Sequence, residues 1–134
     1  MHEEVSPLPG RVSAIMGPGN EILIRRINME KIRVGLIGAG FVAHIHMNAY
    51  QQVKGIPVEI AGVVAKPREE AEKFARKFNI PKYYDDYRYL LDDNTIDLID
   101  ICAPKVIHKN ICLDAAMSKK HIIWDKPLTG YFVE

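Results

Sequence analysis

The stretch Ile32-Arg33-Val34-Gly35-Leu36-Ile37-Gly38-Ala39-Gly40-Phe41-Val42-Ala43 constrains the fold of this chain more than any other. An apolar run suited to a buried strand leads directly into G-x-G-x-x-A, and a helical pattern over 41–52 comes next. In that setting each small residue has a mechanical reason. Gly38 permits a tight turn, Gly40 lets a pyrophosphate approach the backbone, and Ala43 lets helix and strand pack closely. The free N–H groups and dipole of the helix N-terminus then favour an anion at the rim formed by Gly38, Gly40, Phe41 and Val42. A glycine turn without a ligand uses the same six residues. The strand before, the helix after and a further strand–helix unit beyond favour a dinucleotide.

The rest of the chain continues the alternation. Strands are expected at 58–65, 83–84, 96–102 and 121–124, and helices at 68–78, 85–91 and 106–118. Val42, Ile45 and Ala49 would face the core from the first helix, and Ile107, Ile111 and Ala115 from the last. The helix over 68–78 has the clearest spacing, with Ala71, Phe74, Ala75 and Phe78 at i, i+3, i+4, i+7. Strands separated by helices with short links imply a parallel sheet covered on both faces, doubly wound in the order 3-2-1-4-5. A crevice then lies beside the first strand.

Residues 1–28 differ in character from the remainder of the chain. Pro7, Pro9, Gly10, Gly17, Pro18 and Gly19 break this segment, and Glu21-Ile22-Leu23-Ile24 could form one short strand. A tail, an edge strand and a start codon assigned too early all fit. Residues 29–134 form the expected domain. Of 134 residues, 48% are hydrophobic and 26% charged, and the formal net charge is +1, which gives no electrostatic case for nucleic acid or an anionic membrane. Cys102 and Cys112 make neither a disulfide framework nor metal-ligand spacing, in keeping with a cytoplasmic protein. His44 and His46, two apart on a helix, point away from each other and suggest no metal.

The end of the second strand bears on which dinucleotide binds. Asp or Glu usually stands there in NAD-binding domains and accepts from the ribose 2′-OH; methyltransferases keep an acid at that point too. This chain has Val63-Val64-Ala65-Lys66-Pro67-Arg68. Ala65 cannot accept through its side chain, whereas Lys66 and Arg68 can reach a 2′-phosphate, which points to NADP(H) with NAD as the alternative. Two solvated cations opening a helix fit the same letters. On the same rim, the fourth strand ends Asp100-Ile101-Cys102-Ala103-Pro104-Lys105, with His108 beyond, and the fifth ends Asp125-Lys126-Pro127.

Taken together, the glycine loop with His46 after it, the stretch ICAPKVIH and the stretch HIIWDKPL resemble the N-terminal half of the glucose-fructose oxidoreductase / inositol dehydrogenase (Gfo/Idh/MocA) family. The likeness runs from Lys31 to about Thr129. It implies a Rossmann domain that binds NAD(P) in an oxidoreductase acting on CH–OH groups of sugars, cyclitols or related polyols. It further implies that Lys126 touches both the nicotinamide ribose and the substrate, that Pro104 and His108 lie near the nicotinamide half, and that His46 packs under the glycine loop. Asp125 replaces the family's usual glutamate. Ala103 and Lys105 replace its common threonine and asparagine, which puts cofactor contacts there in question.

In that family a second α/β domain comes after the Lys-Pro motif and carries the substrate pocket. Without it, the resemblance implies a chain that binds the dinucleotide, is incomplete for catalysis, and exposes an apolar surface around Trp124, Leu128, Tyr131 and Phe132 that favours self-association. A stand-alone dinucleotide-binding or sensing module is a second reading. An interaction protein that keeps the fold but no ligand is a third, against which the two glycines and Lys126-Pro127 count.

Overall fold

A computed structural model describes residues 31–126. The segment 1–28, with its candidate strand, and Pro127, Leu128, Tyr131 and Phe132 lie outside the described residues. The element order is β1 (Ile32–Ile37), α1 (Phe41–Tyr50), β2 (Val58–Val64), α2 (Arg68–Phe78), β3 (Tyr83–Tyr84), α3 (Arg88–Leu91), β4 (Leu98–Ile101), a 3₁₀ turn (Lys105–Ile107), α4 (His108–Met117) and β5 (His121–Trp124). The strands form one parallel sheet in the order β3-β2-β1-β4-β5. This is the doubly wound Rossmann arrangement expected from the alternating pattern.

Successive strand residues point to opposite faces, and the core divides accordingly. Leu36 joins Val63, Ala43, Met47, Phe74 and Ala75 in one cluster. Its neighbour Ile37 joins Ile99, Ile101, Leu90, Ile111 and Ala115 in the other. The helices α1 and α2 thus cover one face and α3 and α4 the other. Gly35 and Gly62 pair across β1 and β2. A Cβ at Gly62 would lie 2.7 Å from Leu90 Cδ2, and one at Gly35 would lie 3.2 Å from Leu90 Cδ1. The glycine pair is the socket into which α3 inserts its fully buried leucine.

Several expectations need correction. The core face of α1 is Ala43 and Met47, while Ile45 is exposed and Ala49 faces solvent. Two polar residues of α1, His46 and Tyr50, turn inward instead, because Asp100 on β4 satisfies both. In α4 the inward face is His108, Ile111 and Ala115. Ile107 belongs to the preceding 3₁₀ turn, whose tighter winding leaves it exposed. The short helix starts at Arg88 rather than Asp85; Asp86 holds its entry by accepting from the Arg88 N–H at 2.9 Å. Trp124, named for the exposed apolar surface, is half-buried against the cluster that contains Ile111 and Ala115 of α4. Among the described residues no helix is long and apolar enough to cross a membrane.

Candidate functional site

The C-terminal ends of the strands open into one cleft of about 880 Å³, within the size of small-ligand sites. Its floor is the turn after β1. Gly38 adopts φ +112°, and a Cβ there would lie 2.7 Å from the carbonyl carbon and oxygen of Cys102. The Gly38 N–H donates to Val64 O at 2.7 Å, and the Cys102 N–H donates to Ile37 O at 2.7 Å. The turn is thereby wedged between the ends of β2 and β4. Gly40 differs: it is the N-cap of α1, and a Cβ built on it meets nothing within 4 Å. The first helical hydrogen bond runs from His44 N to Gly40 O, so the amides of Phe41, Val42 and Ala43 precede the ladder and look out of the helix end. Together they form a concave, donor-rich surface with room for an anion against the backbone.

The candidates named from the sequence reach the cleft on four segments. The glycine turn contributes Gly38, Gly40, Phe41 and Val42. From the end of β2 come Ala65 and Lys66, and from the end of β4 Ala103, Pro104 and His108. Asp125 and Lys126 close it beyond β5, the Lys126 N–H held by Asp125 Oδ1 at 2.8 Å. The described site residues singled out from the sequence therefore share one cleft. Arg68 is the exception among the candidate cations: its guanidinium lies 5.2 Å from the centroid of the Tyr83 ring, and it does not line the cleft. Glu70, Tyr87 and Arg88 do line it and went unmarked. They sit on α2, α3 and the turn before α3, where only the folded arrangement brings them to the strand ends.

His108 is the first residue of α4 and is 6% exposed. Its Nε2 donates to Ala103 O, which leaves Nδ1 an acceptor; Nδ1 is buried without a partner among the described residues. A buried acceptor without a partner inside a ligand-sized cleft calls for a donor from a bound molecule. With the space above Gly40, this makes the cleft fit a dinucleotide, polar at one end and apolar along Ile37, Val64 and Ile101.

Beneath the rim lies a polar cluster that sequence reading did not assemble. Asp100 is fully buried. His46 Nδ1 donates to its two oxygens at 2.8 and 3.0 Å, and the Tyr50 hydroxyl donates at 2.7 Å. Cys102 Sγ lies 3.3 Å from His46 Nδ1 and 3.5 Å from Asp100 Oδ1. Burial, reinforced by Asp100, pushes the Cys102 thiol far above its ordinary range, so without a bound cation it is protonated and no nucleophile. Burial and the Asp100 hydrogen bond push the Tyr50 phenol up as well and keep it a donor. His46 thus packs toward β4 and the Cys102 end of the strand, against which the glycine turn rests.

The sequence model of the oxidoreductase family GFO_IDH_MocA, described by its NAD-binding Rossmann fold, matches residues 32–132. Levoglucosan dehydrogenase from Pseudarthrobacter phenanthrenivorans is 36% identical over 107 residues, which are 75% of this chain and 27% of that protein. A solved levoglucosan dehydrogenase in complex with NADH superposes with a TM-score of 0.71 at 32% identity, covering 75% of this chain and 28% of that one. Myo-inositol 2-dehydrogenase from Thermotoga maritima is 28% identical over 99 residues, 73% of this chain and 29% of that protein. A 3-ketoreductase from Actinomadura kijaniata in complex with NADP and TDP-benzene gives a TM-score of 0.67 at 26% identity, covering 75% and 30%. The chain thus spans under a third of the length of these relatives.

Proposed function

Because the chain belongs to the Gfo/Idh/MocA oxidoreductase family, as an NAD-binding Rossmann domain related to sugar and inositol dehydrogenases, we propose that it binds NADP(H) in the cleft above the glycine turn. In this reading it supplies the cofactor half of a hydride transfer to a sugar, cyclitol or related polyol. The observation that carries the proposal is the open space over Gly40 at the N-terminus of α1. A bound nicotinamide supplies or accepts the hydride. The pyrophosphate is held by the amides of Phe41 and Val42. His108 Nδ1 accepts a donor from the nicotinamide half, and Pro104 and Ala103 shape the backbone beside it. Lys126, at the mouth, orients the nicotinamide ribose and holds or releases a proton at Nζ during turnover.

Lys66 supports the choice of NADP(H). It stands at the cleft edge where β2 ends, with Ala65 rather than a carboxylate beside it. Relatives solved with NADH and with NADP are both among the similar structures, so the preference rests on this residue. A hydride transfer needs donor carbon, acceptor carbon and proton donor in one closed geometry. The relatives carry more than two thirds of their length outside the matched stretch, which supports placing the substrate half there. For the same reason a dinucleotide-binding module without turnover is the second reading.

Nicotinamide fluorescence titrations of the purified chain with NADPH and NADH test the binding claim, and equal, unsaturable signals would overturn it. Steady reduction of NADP⁺ with a polyol panel tests the second. Turnover by this chain by itself would refute its incompleteness, and turnover only on adding a substrate-domain polypeptide would support it.

A further inference from the structure

We propose that His46, Asp100 and Cys102 form a zinc site beside the dinucleotide cleft, beyond the cofactor role argued above. Asp100 and Cys102 are two apart at the end of β4 and so project from the same face of the sheet. His46 comes from α1, 54 residues away from Asp100 in sequence. The three side chains offer an imidazole nitrogen, a carboxyl oxygen and a sulfur, a donor set that suits Zn²⁺ in tetrahedral coordination.

Their spacing is close to that of a coordination sphere. Taking Asp100 Oδ1 as the carboxylate donor, Nδ1 to Oδ1 is 3.0 Å, Nδ1 to Sγ is 3.3 Å and Oδ1 to Sγ is 3.5 Å. Bond lengths of about 2.0–2.3 Å put the edges of a zinc tetrahedron at about 3.3–3.6 Å. The sulfur is already placed, and only the nitrogen–oxygen edge must lengthen. His46 is the member free to move, since its side chain is 26% exposed whereas that of Asp100 is fully enclosed. Water supplies the fourth ligand, while the Tyr50 hydroxyl, donating to Asp100 Oδ2 at 2.7 Å, holds the carboxylate in place. Cys102 lines the cleft, which gives the ion a path in. On binding, the Cys102 S–H bond breaks, its electron pair goes to the metal and the proton passes to solvent. The neutral His46 ring changes tautomer, its proton leaving Nδ1 and Nε2 taking one up from solvent, so that the Nδ1 lone pair is free for the metal.

Titrating the purified, reduced chain with Co²⁺, then displacing it with Zn²⁺, reads the site without any dinucleotide. One equivalent of Co²⁺ should produce a thiolate-to-cobalt charge-transfer band and tetrahedral d–d absorption, both removed by one equivalent of Zn²⁺. Cys102→Ser should abolish the charge-transfer band, and Cys112→Ser should leave it intact. Asp100→Asn should weaken Zn²⁺ binding at least about tenfold, since even a group that only orients a ligand carries that much. No band at excess Co²⁺ would overturn the proposal and leave the cluster a hydrogen-bonded tie between α1 and β4. So would a band lost in Cys112→Ser but kept in Cys102→Ser. The unsubstituted chain decides the first outcome even if a variant fails to fold.

Discussion

Gly38 and Cys102 touch backbone to backbone: a β-carbon on Gly38 would sit 2.7 Å from both the carbonyl carbon and the carbonyl oxygen of Cys102. Neither atom can move without shifting the end of β4, and φ at Gly38 is +112°, where side chains are strained in any case. Gly38→Ala should therefore destabilise the fold by about 2–4 kcal/mol. A lowered urea midpoint with an unchanged slope checks this, and wild-type stability would refute it.

Gly40 separates binding from folding. With nothing within 4 Å of its Cβ position and an ordinary negative φ, Gly40→Leu should keep stability to within about 1 kcal/mol. The new side chain occupies the space proposed for the pyrophosphate, so NADPH affinity should fall at least about tenfold. Equal affinities in the two proteins would remove the glycine turn from the binding site.

Lys66→Ala should weaken NADPH binding roughly tenfold and leave NADH binding unchanged, the size of one partly exposed charge-assisted contact to a phosphate. Added salt should narrow the gap between the two cofactors in the unsubstituted protein. Parallel titrations decide it: if both cofactors respond alike, Lys66 is a solvated residue and the preference for NADP(H) falls.

Asp93 ties the loop between α3 and β4. Hydrogen bonds from the Thr95 hydroxyl and N–H, with Lys82 beyond them, lower its pKa from 3.8 to about 2. A depressed folded value means that this contribution is complete above the unfolded value and is lost as pH falls toward 2. Stability should drop between about pH 4 and pH 2, and Asp93→Asn should flatten that limb while lowering stability at neutral pH. Identical acid profiles for the two proteins would refute the assignment.

What the sequence discloses and what it conceals have one physical root. β1, β3, β5 and α2 match their expected bounds because their signals are local: apolar runs ended by glycine or charge, and the spacing of Ala71, Phe74, Ala75 and Phe78. The glycine turn and the strand-end residues are equally legible, since the topology alone carries them to one edge. The inward face of α1 is not. Periodicity assumes that apolar residues point inward, whereas His46 and Tyr50 do so because Asp100, at least fifty residues away in a strand that reads as apolar, accepts from both. Arg68 reads either as a solvated cation opening α2 or as a phosphate contact, and its place over the Tyr83 ring is not written in the local pattern. The Gly35–Gly62 socket depends on Leu90, whose partners no local pattern specifies.

β1 takes its two neighbours from opposite halves of the chain. All its pairings are parallel, so each crossover must close before any strand contact rewards it, and the Arg33–Asp97 link between β1 and the start of β4 spans 64 residues. Topologies of this kind fold slowly. The lip that carries Gly38 meets the lip that carries Cys102 only when that longest closure is made. Earlier species on the folding route therefore have no complete cleft and no affinity for a dinucleotide. At a hundred times its dissociation constant, a ligand of the finished sheet adds about 2.7 kcal/mol. That increment should slow unfolding and leave the folding rate where it was.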